Sequence, residues 1–157
     1  MSGPLAIAAT TAVMRELLQS GMTALQLGAV LGGDVIVSVN APERVVREPP
    51  NAVSQLNLFL YNVMRNTGWA GNCLPSRDPR GERLTNPVLA LDLYYLLTAY
   101  GVADYDAEIL LGGAMQVLHE TPGLVHDTIR AALTPSPMRP YILTHCRLRV
   151  WPSRSRT

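Results

Sequence analysis

The stretch "NPVLALDLYYLLTAYG", residues 86–101, decides the fold. Between Val88 and Ala99 only Asp92 and Thr98 interrupt an apolar run. Such a run can be a membrane segment, a buried helix or a core strand. A membrane-spanning helix needs about 20 predominantly apolar residues, which this run does not supply. Asp92 separates the other two readings. On a helix its neighbours at three and four residues are Val88, Leu89, Tyr95 and Leu96, an apolar ring around a carboxylate. On a strand its same-face neighbours are Ala90 and Tyr94, with Thr98 further on, while Leu89, Leu91, Leu93, Tyr95 and Leu97 fill the opposite face. A buried charge without a partner is costly. The spacing therefore predicts a strand over 88–97 that ends before Gly101, with the helix as the alternative. Its leucine-rich face predicts a place at the centre of a sheet. Asp92 then needs a hydrogen-bond donor opposite it, an arginine or a backbone amide.

Working outward, residues 55–64, "QLNLFLYNVM", alternate in the same way. Leu56, Leu58 and Leu60 take one face, and Asn57, Phe59, Tyr61 and Val63 the other, which predicts a strand covered on both sides. "DVIVSVN" (34–40) is dense in β-branched residues and bounded by turn formers, so it predicts a further strand. The Pro-punctuated 41–51 connects the two, with Val45-Val46 able to pair briefly. Residues 4–20 follow the 3.6-residue period through Leu5, Ala8, Ala9, Ala12, Val13, Met14 and Leu17, with Gly21 as the expected stop. "TALQLGAVLGG" either extends this helix or forms a second short piece. Residues 104–123 predict a helix capped by Asp104 or Asp106, with a buried stripe of Ala107, Leu110, Leu111, Ala114 and Leu118, ended by Pro122. Gly112-Gly113 inside it costs about 1 kcal/mol per glycine, tolerable where another backbone lies close. A second short helix over 123–133 and a last strand over 139–151 complete the order. The fold class is α+β, a mixed and mostly antiparallel sheet flanked by helices.

The chain has 157 residues, 48% apolar and 16% charged, enough for one domain with a sizeable core. So few charges on so much apolar surface suggest that a partner covers part of it. All thirteen basic residues are arginine, which removes Walker-type phosphate binding and lysine nucleophiles. Residues 1–133 carry eight arginines against twelve acids, whereas 134–157 carry five arginines and no acid. A basic tail can touch nucleic acid or an acidic surface, or can simply be unstructured. Cys73 and Cys146 have no metal-ligand spacing and read as free thiols of a reducing compartment. The N-terminus lacks the basic region of a signal peptide, so the expected location is cytoplasmic.

No catalytic, cofactor-binding or metal-ligating constellation emerges. Pro122 separates His119 from His126, and Asp104, Asp106 and Glu108 are explained by the dipole at a helix start. The glycine pairs lack phosphate-loop context and the serines lack a nucleophile elbow. The informative polar segment is 65–86, "RNTGWAGNCLPSRDPRGERLTN", longer than a usual loop. There Arg77, Arg80 and Arg83 alternate with Asp78 and Glu82, near Trp69. It is either a solvated loop or an interface arm, because Trp and Arg are the residues that most often carry binding energy. Trp69, Arg77, Asp78, Arg80, Arg83 and Asp92 are the candidate interface residues.

"PPNAVSQLNLFLYNVMRNTG", "GERLTNPVLALDLYYLLTAYG" and "DAEILLGGAMQVLHETPGL" occur in order and resemble consecutive blocks of one family. It is the N-terminal domain of the cap, or tube-terminator, proteins of phage-tail-like contractile injection systems, and "LAIAATTAVMRELL" fits it too. The resemblance covers residues 4–133. It implies a tail-terminator-like protomer that assembles into a hexameric ring, caps the inner tube and anchors the last sheath layer. It implies no reaction and no cofactor, and its partners would be further copies of itself, the tube protein and the sheath protein, with no nucleic acid and no membrane span. Residues 134–157 depart from the family pattern and form a basic, divergent C-terminal segment. The expected function is a structural cap; the alternatives are an adaptor or nucleic-acid-binding module using that tail, or a hydrolase drawing on 104–108 and a histidine.

Overall fold

A computed structural model describes residues 6–45, 53–70, 77–84 and 89–124. The expected last strand, the basic segment and all but the first two residues of the second short helix lie outside these. The described chain folds as α1 (Ala6–Ala24), α2 (Leu27–Leu31), β1 (Val35–Ser38), a 3-10 turn (Pro42–Arg44), β2 (Ser54–Arg65), α3 (Thr67–Ala70), β3 (Leu91–Tyr100) and α4 (Asp106–Glu120). The α+β class holds.

The sheet order is β1-β2-β3. β1 runs parallel to β2, from Val35 beside Ser54 to Ser38 beside Asn57. β2 and β3 form a much longer antiparallel ladder, from Gln55 opposite Tyr100 to Arg65 opposite Leu91. A bulge at Tyr61 interrupts it, leaving Leu60 opposite Tyr95 and Asn62 opposite Tyr94. The stretch thus contains a strand, as Asp92 indicated, at Leu91–Tyr100 instead of the expected 88–97, a shift of three residues toward Gly101. The centre of the described sheet is β2, however, not β3. An alternating leucine face shows that a strand lies on a core, but not how many neighbours it has.

One face of the sheet carries the core. Val37 of β1 and Leu56 and Leu58 of β2 meet Leu18 and Met22 of α1, Leu27 of α2, and Leu110, Ala114 and Val117 of α4. Tyr95, Leu97 and Ala99 of β3 pack against the same cluster, half-buried. Gly21 does not stop α1, which continues to Ala24. A Cβ at Gly21 would lie 2.4 Å from a methyl of Val117, so this glycine serves the close crossing of α1 and α4. The chain breaks instead at Gln26, whose left-handed backbone (φ 53°) makes α2 a separate piece.

α4 starts and ends near its expected bounds, but Tyr105 occupies its N-cap with a left-handed backbone and no side-chain cap. Asp106 is buried and turns back: its Oδ2 accepts the amides of Val102 (3.1 Å) and Ala103 (2.8 Å). The acid therefore organises the β3–α4 turn instead of capping the helix. The buried face of α4 holds Asp106, Leu110, Gly113, Ala114 and Val117, while Leu111, expected inside, is exposed. Gly113 faces the side chain of Leu27 rather than a backbone, and a Cβ at Gly112 would meet nothing within 4 Å.

Candidate interaction surface

β2 was expected to be covered on both sides, and only its first half is. Residues 54–58 are buried or nearly so, whereas 61–65 are exposed. The reason is length. A twelve-residue strand extends about 40 Å, but α4 spans about 22 Å and α1 about 28 Å. The far end of the β2–β3 ribbon therefore runs beyond its helical support. Its exposed apolar residues are Tyr61 (58%), Val63, Met64 (52%), Leu91, Tyr94 and Leu96. Because Tyr95 and Leu97 face the core, alternation puts Tyr94 and Leu96 on the sheet face turned away from the helices. Met64 lies on that face too, opposite Asp92. Tyr61 and Tyr94 meet there edge-to-face with ring centres 6.3 Å apart.

The ribbon's connection carries the sequence-predicted residues, and it is more ordered than a solvated loop. Trp69 falls in the short α3. Arg77 and Arg83 bridge as a miniature antiparallel pair. Between them the Gly81 amide bonds the Asp78 carbonyl at 3.0 Å, and Gly81 is left-handed (φ 85°). Asp-Pro-Arg-Gly supplies the residues that such a turn favours at each position. Asp78 Oδ1 accepts the amides of Arg80 (2.9 Å) and Glu82 (2.7 Å), and Arg77 Nη1 donates to the Gly81 carbonyl at 2.8 Å. Asp78 is therefore the internal brace of a tight hairpin on which Arg77, Arg80 and Arg83 stand exposed.

Asp92 stands apart from that hairpin's bonding. It is half-buried on β3, and Asn66 Nδ2 donates to its Oδ1 at 2.8 Å. The donor is thus a side-chain amide, not the arginine or backbone amide expected. Asn66 also donates its own backbone amide to the Ala90 carbonyl (3.0 Å), so the pair fastens the open end of the ribbon.

The opposite sheet edge is closed. Gln19 of α1 donates to the Val35 carbonyl (3.0 Å) and accepts from the Val37 amide (2.9 Å), and Arg15 Nε donates to the Val37 carbonyl (3.0 Å). Helix side chains here satisfy the outer backbone groups of β1 as a neighbouring strand would. On the far sheet face Asn57 is fully buried and satisfied, accepting from Ser38 Oγ (2.8 Å) and the Asn40 amide (3.0 Å) and donating to the Asn40 carbonyl (3.0 Å).

Among the described residues, those considered for chemistry are dispersed or engaged; His126 lies outside them. Asp104 and Glu108 are exposed, Asp106 is held by the turn amides, and His119 is exposed at the end of α4. Among the described residues no group of three or more His, Cys, Asp and Glu side chains could hold a metal ion. An open cleft of about 350 Å³ beside α2 is lined by Gln19, Thr23 and Gln26, with Asp34 its one titratable group. Among the described residues, Tyr95 has a shifted protonation equilibrium. Burial raises its pKa, and its hydroxyl contact with Thr11 (2.9 Å) opposes that only in part. No described helix is long and apolar enough to cross a membrane.

Sequence reasoning missed Tyr61, Met64, Tyr94 and Leu96 as surface residues. The signal was present in the mismatch between strand and helix lengths, which periodicity alone does not register.

These features define an α+β domain with one helix-covered sheet face, one sealed sheet edge and a projecting, arginine-tipped ribbon. The chain belongs to the Pvc16 N-terminal domain family, whose match spans residues 9–151. The family sets it in the context of phage-tail-like contractile injection systems. The matched range runs beyond the residues 4–133 that carry the resemblance. No curated protein and no solved structure matches the chain.

Proposed function

We propose that this domain is a structural cap. It would assemble into a ring of copies, hexameric on the family resemblance, that ends the inner tube and contractile sheath of a phage-tail-like injection particle. Membership of the Pvc16 N-terminal domain family over residues 9–151 carries this reading. The domain is read as non-enzymatic, recognising partners by shape and burial. The projecting apolar ribbon supports it, because a surface of that kind stays soluble when a partner covers it. A ring offers one face to the last tube and sheath layer and leaves no site for another layer to add. Heterologous contacts close such a ring when the rotation per protomer divides the circle.

The test is to image particles purified from a strain lacking this chain. The expected result is tubes of irregular length and sheaths that fail to stay anchored. Tubes of unchanged, uniform length with stable sheaths would refute the proposal.

A further inference from the structure

We propose that the far end of the β2–β3 ribbon is a docking arm whose seat is the outward face of α4 on a second copy of this chain. The inference rests on the ring reading and names the surfaces through which the copies meet. Two features make the arm. A two-stranded ribbon is at best marginally stable in water unless a third element covers it, and this one presents Tyr61, Met64, Tyr94 and Leu96 on a single face. Its connection displays Arg77 and Arg80 on a prebuilt turn.

The seat is the side of α4 turned away from the sheet. Glu108, Leu111, Gly112 and Met115 succeed one another there at i, i+3, i+4 and i+7, with Met115 63% and Leu111 39% exposed. Gly112 is the clearest sign of an approaching partner. A glycine inside a helix costs about 1 kcal/mol relative to alanine. Gly21 and Gly113 each make room for a side chain of the same protomer, whereas a Cβ at Gly112 would meet nothing within 4 Å. No packing within the described protomer uses that glycine.

Charge selects this occupant. Residues 101–124, which contain α4, hold Asp104, Asp106, Glu108 and Glu120 and no arginine. The ribbon and its connection hold Arg65, Arg77, Arg80 and Arg83 against Asp78, Glu82 and Asp92. Four arginines against three acids leave the arm with a net charge of +1, whereas the exposed acids of the seat segment, Asp104, Glu108 and Glu120, meet no arginine there. The arm is therefore weakly basic and the seat acidic. They also lie on opposite sides of the molecule, one on the sheet face away from the helices and the other on the helix face away from the sheet. One protomer cannot close that contact on itself, so arm-to-seat docking is head-to-tail, the geometry that generates rings. Strand addition at β1 is excluded by the Gln19 and Arg15 bonds.

The test uses the full chain and two surface variants, Met64→Arg in the arm and Met115→Arg in the seat, followed by sedimentation equilibrium. Both positions are exposed, and circular dichroism checks that each variant is folded. Wild type is expected to form a closed oligomer, and each variant to weaken self-association at least about tenfold. Mixed together, the two variants should form a heterodimer and nothing larger, because one intact arm and one intact seat remain. Assembly unchanged in both variants would overturn the arm and seat while leaving the ring reading intact. Variants that are monomeric alone and also when mixed would overturn head-to-tail docking. A monomeric wild type whose Met64→Arg variant melts several degrees lower would place the ribbon's cover within one chain, and would overturn the proposal together with self-assembly of this chain.

Discussion

Three glycines lie inside the two long helices, α1 and α4, and replacing each by alanine should give three different results. At Gly21 the new Cβ would sit 2.4 and 2.7 Å from the two methyls of Val117, roughly 1 Å inside an ordinary carbon contact. Val117 is buried and β-branched, so it cannot swing aside, and α1 and α4 must part. Overpacking of this kind costs about 1–3 kcal/mol, against about 1 kcal/mol gained in helix propensity. The net change is a loss of up to about 2 kcal/mol. At Gly112 nothing stands within 4 Å, so the full gain of about 1 kcal/mol appears and the melting temperature rises by about 2–4 °C. At Gly113 the obstacle is Leu27 Cδ1 at 2.5 Å, the end of a flexible side chain, and the two effects nearly cancel. The assay is urea and thermal unfolding of dilute chain followed by circular dichroism. Combining Gly21→Ala with Val117→Ala should recover part of the loss, a coupling of about 0.5–3 kcal/mol. If Gly21→Ala stabilises as much as Gly112→Ala, or shows no coupling to Val117, the tight α1–α4 crossing is wrong.

Three further outcomes follow from the same structure. Thr98 Oγ1 is buried without a hydrogen-bond partner, so Thr98→Val should be neutral or stabilise by about 1 kcal/mol; a loss above 1 kcal/mol would show that the hydroxyl is bonded. Gln19→Ala removes two bonds to the β1 edge, should cost about 1–3 kcal/mol, and should expose the edge to strand addition, seen as increased thioflavin binding during heating. A variant no more prone to aggregation than wild type would argue that Gln19 does not guard that edge. Because the Tyr95 pKa is raised in the folded protein, its contribution to stability is intact below about pH 10, the ordinary tyrosine value. It is lost as pH rises through the higher folded value, because the unfolded chain releases the proton first. Tyr95→Phe should therefore flatten the decline in alkaline stability, and an unchanged alkaline slope would rule out Tyr95 as its source.

Local chemistry made much of this domain legible. β-branched density located β1, leucine alternation located β2, the 3.6-residue period located α1 and α4, and Asp92 distinguished strand from helix in the stretch that holds β3. The Asp-Pro-Arg-Gly turn in the 65–86 segment was also written in its residues, because proline fixes φ and glycine accepts the left-handed backbone that Gly81 adopts. Asp92 was correctly expected to have a donor, since a half-buried carboxylate must have one. Which donor was a matter of which strand end came alongside, and that was Asn66.

The tertiary structure decided the rest. Gly21 continues a helix because Val117, 96 positions away in the chain, comes within reach of it, and no local propensity encodes that approach. Leu111 lies outside and Val117 inside because α4 rolls to fit the α1 surface, and a helix with apolar residues on several sides has no face chosen in advance. β2 rather than β3 is the central strand because pairing is a relation between segments, invisible in either alone. The exposed ribbon has the same origin: each strand carries enough apolar residues to be a core strand along its whole length, but burial depends on how far the helices reach. Composition along the chain determines what can be buried. Only the packing of α1 and α4 on the first half of the ribbon determines what is.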